Sequence, residues 1–322
     1  MHGHTHAETE GGPGRLNPED AARITRRTAA ASVAVASVLV ALKASAWLLS
    51  HSVAMLSSLA DSGLDLLASL FTLLAVRYAA TPPDAEHRFG HGKAEALASL
   101  VQGAFVLVSA TLVAVEAFQR LLQPQPVQAQ GLAIGVMLAS TALTAGLIWL
   151  QTRALRRTGS IATAGDRAHY LSDFFANVAV LAGLVGAGLL GARWADPAAG
   201  LLVAAYLLHA GWAVWRNAAD HLMDRELPDP ERARILALAQ SSPGVLGAHA
   251  LRSRASGASV HIQLHVDVDG SISVSTAHAI LVEVERRIRT VYPAADVLIH
   301  ADPHEGKEAH GHELLGGLND AG

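Results

Sequence analysis

Residues 56 to 67 read LSSLADSGLDLL, with Asp61 and Asp65 four positions apart in an otherwise apolar run. On a helix that spacing projects both carboxylates from one face. Two adjacent anions in hydrocarbon repel each other and are costly to desolvate. They require a cation, a proton or a water-filled cavity. The segment HYLSD repeats the spacing with His169 and Asp173. Together the pairs supply three carboxylates and one imidazole, the donor count and types of a tetrahedral divalent-ion site. Either pair alone is weak evidence, since a carboxylate near a wet helix end or a packed histidine explains it. Two matched pairs on separate apolar segments point to one shared site. Asn177, one turn beyond Asp173, is either a supporting neighbour or an ordinary interior polar residue.

Three further groups carry the same residue types. The loop TPPDAEHRFGHGKAEAL holds Asp84, His87 and His91, spaced three and four apart. It reads as an exposed metal site or as a solvated loop with incidental histidines. Towards the C-terminus stand His249, His261, His265, His278, His300 and Asp302. A strand period of two puts His261 and His265 on one face with Gln263, leaving Ile262, Leu264 and Val266 towards a core. Whether these donors converge is not written in the sequence. The tails, HGHTH at the start and HGH at 310–312, are weak metal buffers or plain polar tails.

The elements that must position these groups follow from composition. The chain has 322 residues, 51% hydrophobic and 16% charged, with mean hydropathy +0.30. A soluble domain carries about a quarter charged residues, so the scarcity of charge between Thr28 and Trp215 indicates a membrane domain. No cysteine is present, which excludes disulfides and thiolate metal sites. The net charge of −4 gives no sign of a nucleic-acid partner. MHGHTHAETE lacks the basic-then-apolar order of a signal peptide. Six segments reach the roughly 20 apolar residues a bilayer requires. They run from about Thr28 to Ser50, interrupted by Lys43, then Val53 to Ala79, Ala94 to Leu122, Val127 to Leu150, Ile161 to Leu190 and Pro197 to Trp215. Abundant Gly, Ala and Ser suit close helix packing in lipid. Arginine and lysine crowd the loops after segments two and four and both ends of the bundle, which predicts cytoplasmic termini.

Beyond Leu227 the character changes to a helix, two strands, a helix capped by Ser273 or Ser275, and a third strand. The expected fold is therefore a membrane α-helical bundle of six transmembrane helices followed by a C-terminal cytoplasmic α+β domain of order αββαβ, metallochaperone-like. The expected divisions are a His-rich disordered tail at 1–24, a transport domain at 25–220, a metal-binding and dimerisation domain at 221–303 and a disordered tail at 304–322.

DSGLD, DAEHRFGHGKAE, HYLSD, LMDRELP and the ending LIHADP, in that order from about Thr25 to Pro303, resemble the cation diffusion facilitator family, in particular its bacterial zinc and iron efflux members. The resemblance implies a homodimeric antiporter of the bacterial inner membrane that exports a divalent cation against inward protons. It implies a transport site of Asp61, Asp65, His169 and Asp173, a loop site of Asp84, His87 and His91, and a cytoplasmic two-metal site of His249, His265, His278, His300 and Asp302. His261 has no clear counterpart. Ala301 stands where the family often has a polar residue, which weakens one cytoplasmic ion or leaves it to a backbone carbonyl. Lys93 and Asp224 match a charge interlock between subunits, and are otherwise ordinary juxtamembrane charge.

The ligand set suits Zn2+ over Mg2+ and Ca2+, which take more oxygens. The resemblance associates histidine in the fourth position with zinc and cadmium, and aspartate there with iron and manganese. Cd2+, Fe2+ and Co2+ remain alternative cargoes. His169 is the expected proton carrier, because an ordinary imidazole titrates at about 6.5. Other classes fit less well. A membrane-anchored metal sensor has no use for buried ligands in two spans. A proton-coupled carrier of an organic solute leaves HYLSD and the cytoplasmic histidines unexplained. An intramembrane metalloenzyme needs an open coordination position.

Overall fold

The structure is a computed structural model that describes residues 12–51, 53–122, 131–190 and 195–304. Six long helices come first: α1 (Pro18–Ser50), α2 (Val53–Ala79), α3 (Lys93–Leu122), α4 (Gly131–Thr158), α5 (Ile161–Leu190) and α6 (Ala195–Leu222). Then follow α7 (Asp229–Gln240), β1 (Gly247–Ser256), β2 (Ser259–Val268), α8 (Val274–Val291) and β3 (Ala295–Pro303). The chain divides into two compact units, Met1–Arg225 with Ala255–Ser259, and Glu226–Arg254 with Val260–Gly322.

At 1.5 Å per residue, helices of this length reach about 40 Å or more, beyond the roughly 30 Å of a bilayer core. Among the described residues, Pro18–Ser50, Met55–Ala79, Lys93–Gln119 and Ile134–Thr158 are both long and apolar enough to cross a membrane. Side-chain placement inverts that of a water-soluble bundle. Leu48, Phe118, Trp149, Leu202 and Trp212 face outward, while Ser32, Ser69, Thr72, Gln102 and Gln151 are buried, as are Ala36, Ala98 and Ala110. In lipid, large apolar groups lose nothing by facing the solvent. The interior is held by close packing of small residues and by hydrogen bonds. The α3–α6 and α1–α2 pairs make the most extensive contacts. Gly103 on α3 shows how close the first pair comes: a Cβ there would lie 3.0 Å from the backbone nitrogen of Trp215 on α6.

Helix boundaries depart from the hydropathy pattern. α1 starts at Pro18, ten residues ahead of the apolar segment, so the end of the tail assigned to 1–24 is helical. Asn17 Oδ1 accepts from the Glu19 N–H at 3.2 Å, Pro18 fixes the entering φ, and Glu19 and Asp20 sit in the first turn. These are helix-start features. Hydropathy detects the stretch that suits lipid, and a polar helical extension is invisible to it. For the same reason α4 runs to Thr158 and α6 to Leu222. The expected start of the fourth segment at Val127 falls outside the described residues, as do the histidines of HGHTH and those of HGH at 310–312.

The second unit follows the expected αββαβ order. Its sheet has order β1-β2-β3, with β2 and β3 parallel in a register running from Val260↔Ala295 to Val268↔Pro303. A parallel pair needs a crossover, and α8 supplies it, capped by Ser273 accepting from the Thr276 N–H at 3.2 Å. Val260, Ile262, Leu264 and Val266 of β2, Val284 and Ile288 of α8, and Ile235 of α7 are buried.

Replacing Gly103 by Leu is expected to wedge α3 from α6 and lower stability by about 1–3 kcal/mol, the usual cost of overpacking. Gly103→Ala should cost less. Thermal unfolding of the detergent-solubilised protein measures both, and an unchanged midpoint for Gly103→Leu contradicts the close approach.

Candidate metal centre

α2 and α5 bring the two intramembrane pairs together. Asp65 Oδ1 lies 3.1 Å from His169 Nε2, and Asp173 Oδ2 lies 3.8 Å from the same nitrogen. Donor atoms of the three residues all fall within 4.8 Å of one another. Two ligands held about 2.0–2.1 Å from a tetrahedral ion sit roughly 3.3 Å apart, so the observed spacings straddle that value. His169 is buried. Its Nε2 meets Asp65, while Nδ1 is buried without a hydrogen-bond partner. The lone pairs that coordinate a metal are those engaged here in an imidazole–carboxylate hydrogen bond. A proton and a divalent ion therefore compete for the same atoms.

Asp61 stands one turn away on α2, outside this converging set. It lines the same cavity, of about 610 Å3, together with Asp65, His169, Asp173, Asn177 and Lys43. Its apolar wall includes Phe71, Phe105 and Leu112.

One turn before His169, Asp166 is 2% exposed and surrounded by neutral donors. Ser32 Oγ of α1 donates to Oδ2 at 2.6 Å, and Gln151 Nε2 of α4 to the same oxygen at 2.8 Å. Gln102 Nε2 of α3 reaches Oδ1 at 3.4 Å and also donates to Thr72 Oγ1 of α2 at 2.9 Å. Tyr170 adds a hydroxyl contact with Ser69 at 2.8 Å. This network joins all five of the first helices around the base of the site. The sequence reading passed over it. The available signal was Asp166 at i−3 of His169, on the same helix face, but its partners come from three other helices.

The loop residues also converge. Asp84 lies 3.3 Å from His87 Nδ1 and 3.4 Å from His91 Nε2. Its Oδ1 accepts the backbone N–H groups of His87 and Glu86 at 2.6 and 2.9 Å. The His87 N–H is the main cause that holds this carboxyl below its ordinary range, against an opposing desolvation and with help from the Glu86 N–H. His91 is buried, and its Nδ1 sits 3.3 Å from the Thr81 carbonyl. That arrangement fixes the tautomer with Nε2 directed at Asp84, as metal-binding histidines require.

In the second unit the parallel register sets His265 opposite His300, and Asp267 opposite Asp302. His265 Nδ1 is 2.8 Å from Asp302 Oδ2, His249 Nε2 is 3.4 Å from the same oxygen, and His300 Nε2 is 3.3 Å from Oδ1. Burial pushes the His265 ring below the ordinary imidazole value, against the opposing hydrogen bond that its Nδ1–H donates to Asp302. A neutral ring keeps a lone pair for a metal at neutral pH. His249, His265 and Asp302 form the converging set, and His300 flanks it. His278 is exposed on α8 and is not part of that set. His261 pairs with Asp296 at 3.2 Å. Two residues missed from sequence stand beside the cluster: Asp267, 3.6 Å from His249 Nδ1, and His304, 3.8 Å from Asp267. The strand period could have revealed Asp267, two residues after His265. Lys93 and Asp224 are paired at 3.0 Å within one chain.

A helical bundle with an apolar exterior and clustered imidazole and carboxylate donors within defines a membrane protein that handles metal cations. Residues 29–223 match the family described as the cation efflux transmembrane domain, and residues 227–304 match the cation efflux protein cytoplasmic domain. The chain belongs to this cation efflux family, the cation diffusion facilitators. It is 43% identical over 273 residues to the cation-efflux pump FieF of Shewanella oneidensis, covering 85% of this chain and 92% of that one. It is 41% identical over 293 residues to the pump of the same name from Yersinia enterocolitica, covering 90% and 97%. Among solved structures, the metal-bound C-terminal domain of the CzcD transporter from Thermotoga maritima aligns at 28% identity and TM-score 0.24, covering 26% of this chain and all of that one. The protein is accordingly a divalent cation efflux transporter and not an enzyme.

Asp166→Asn turns an acceptor towards donors into an amide facing amides. Leaving buried donors unsatisfied costs about 1–3 kcal/mol per group, so a clear drop in the thermal midpoint of the solubilised protein is expected. A neutral effect contradicts the network as drawn.

Proposed function

We infer that the protein exports Zn2+ from the cytoplasm in exchange for protons, as a homodimer in the bacterial inner membrane with both termini cytoplasmic. The observation that carries this reading is the convergence of Asp65, His169 and Asp173 in an intramembrane cavity that Asp61 also lines. Three carboxylates and one imidazole form a closed four-ligand set for a tetrahedral ion. Access from the cytoplasm loads the deprotonated site, and on the opposite side protons take the same lone pairs and the metal leaves. The assigned divisions remain a transport domain over 25–220, a cytoplasmic domain over 221–303 and tails on either side. The similarity to cation-efflux pumps supports flux rather than sensing alone.

The cytoplasmic cluster of His249, His265, His300 and Asp302 fits a regulatory zinc by donor chemistry, with one neutral imidazole against a buried carboxylate. A zinc held by these residues would draw its ligands from β1, β2 and β3. The structure gives no reason to retain His278 among the ligands within one chain. Asp84, His87 and His91 form a second candidate cytoplasmic-side site, with the tautomer of His91 already set.

In proteoliposomes with an imposed pH gradient, Asp65→Ala is expected to abolish Zn2+ flux, and retained flux refutes the site. His169→Asp should weaken the preference for Zn2+ over Mn2+, while an unchanged selectivity ratio removes the argument from ligand type. Each proton that metal binding displaces lowers the apparent affinity about tenfold per pH unit in the range where the free site is protonated. Zn2+ binding to the solubilised transporter should therefore weaken as pH falls from 7.5 to 5.5. An affinity flat across that range contradicts proton competition.

A further inference from the structure

The cavity between α2 and α5 contains a charge that no part of the coordination scheme uses. Lys43, on α1, lines it together with Asp61, Asp65, His169 and Asp173. Its Nζ donates to Ser62 Oγ at 2.6 Å and to the Ser58 carbonyl at 3.2 Å, both on α2. Ser62 lies between the two aspartates in sequence, so the ammonium is tied to the ligand-bearing helix itself. It is the sole lysine or arginine among the residues that line the cavity. A half-buried ammonium about two turns inside the end of a spanning helix, turned onto a cavity lined by carboxylates, is expensive and calls for a charge-balancing reason.

The charge sum supplies that reason. Three carboxylates and a divalent ion leave one negative charge, and the Lys43 ammonium cancels it. An empty, deprotonated site with Lys43 has a net charge of −2, matching a divalent ion and exceeding what one monovalent ion offsets. The tether to Ser58 and Ser62 occupies ammonium hydrogens that a carboxylate would otherwise take, leaving the aspartate lone pairs to the metal.

We propose that Lys43 is a fixed counter-ion of the transport site, which makes the loaded cavity neutral and keeps metal binding weak enough for release. This rests on the transport-site reading above. A like charge beside a bound cation lowers its affinity in both loading and unloading states. Removing it should therefore tighten binding and slow turnover together. A tie that only holds α1 to α2 predicts the opposite for affinity, because loosening the site weakens binding.

The experiment measures Zn2+ flux in proteoliposomes of the full-length chain against Zn2+ concentration for wild type, Lys43→Gln, Lys43→Met and Lys43→Arg. Both neutral variants are expected to lower KM, on the order of tenfold for the loss of one nearby unit charge, and to lower kcat as well. Lys43→Arg should keep wild-type values of both. Unchanged or raised KM in whichever neutral variant inserts and folds, judged by a monodisperse profile, overturns the proposal. Asp65→Ala in parallel separates the two failures. If it spares flux, the transport-site reading falls. If it abolishes flux while the neutral variants keep wild-type KM, only the role of Lys43 falls.

Discussion

The cost of placing carboxylates inside an apolar bundle organises the whole membrane unit. Asp65 sits on α2, which exposes Leu56, Leu70, Phe71 and Leu74, and Asp166 and Asp173 sit on α5, which exposes Val178 and Val180. An anion there must be compensated, and the structure compensates its carboxylates in two different ways. Asp166 is surrounded by fixed neutral donors from Ser32, Gln102 and Gln151. Asp65 and Asp173 face an imidazole and a cavity. The first arrangement is complete without any ion, and the second is complete only with a proton or a cation. Two carboxylates less than two turns apart on α5 thus have opposite surroundings, one closed by fixed neutral donors and one open to a cavity.

The helices exist to hold these contrasts. Small residues let α3 approach α6 at Gly103, and polar side chains such as Gln102 and Tyr170 bridge helices where no apolar contact could fix their rotation. In lipid, hydrogen bonds of this kind specify which faces meet, since hydrophobic burial cannot distinguish a neighbouring helix from an acyl chain. The second unit uses ordinary water-based logic instead. β2 buries Val260, Ile262, Leu264 and Val266 under two helices, and its register with β3 places histidines and aspartates side by side at the sheet's end.

Much of this was legible in the chain. Hydropathy showed each long segment, and period-two alternation showed which face of β2 is core. Matched i, i+4 spacing singled out Asp61, Asp65, His169 and Asp173, and the structure brings the last three together. What escaped has a common cause. The Asp166 network draws on five helices, and no local pattern encodes such a meeting. The polar start of α1 at Pro18 carries cap chemistry but no apolar signal. Asp267 and His304 join the rim of the cytoplasmic cluster through strand pairing, which sets together residues more than thirty positions apart. His278 looked equivalent to its neighbours in sequence, but α8 carries it on an exposed position.

The separation between Asp65 and His169 has a mechanical consequence. At 3.1 Å the pair is slightly closer than two ligands around a tetrahedral ion, and His169 with Asp173, at 3.8 Å, is slightly wider. Exchanging the proton for an ion therefore asks for displacements of tenths of an ångström. α2 and α5 are stiff rods of about 40 Å, and a tilt of roughly 5° about their middle moves each end by about 2 Å. Rods of this length turn a small change of tilt about their middle into a larger movement at both ends, so what occupies the space between Asp65, His169 and Asp173 is felt far from it along α2 and α5.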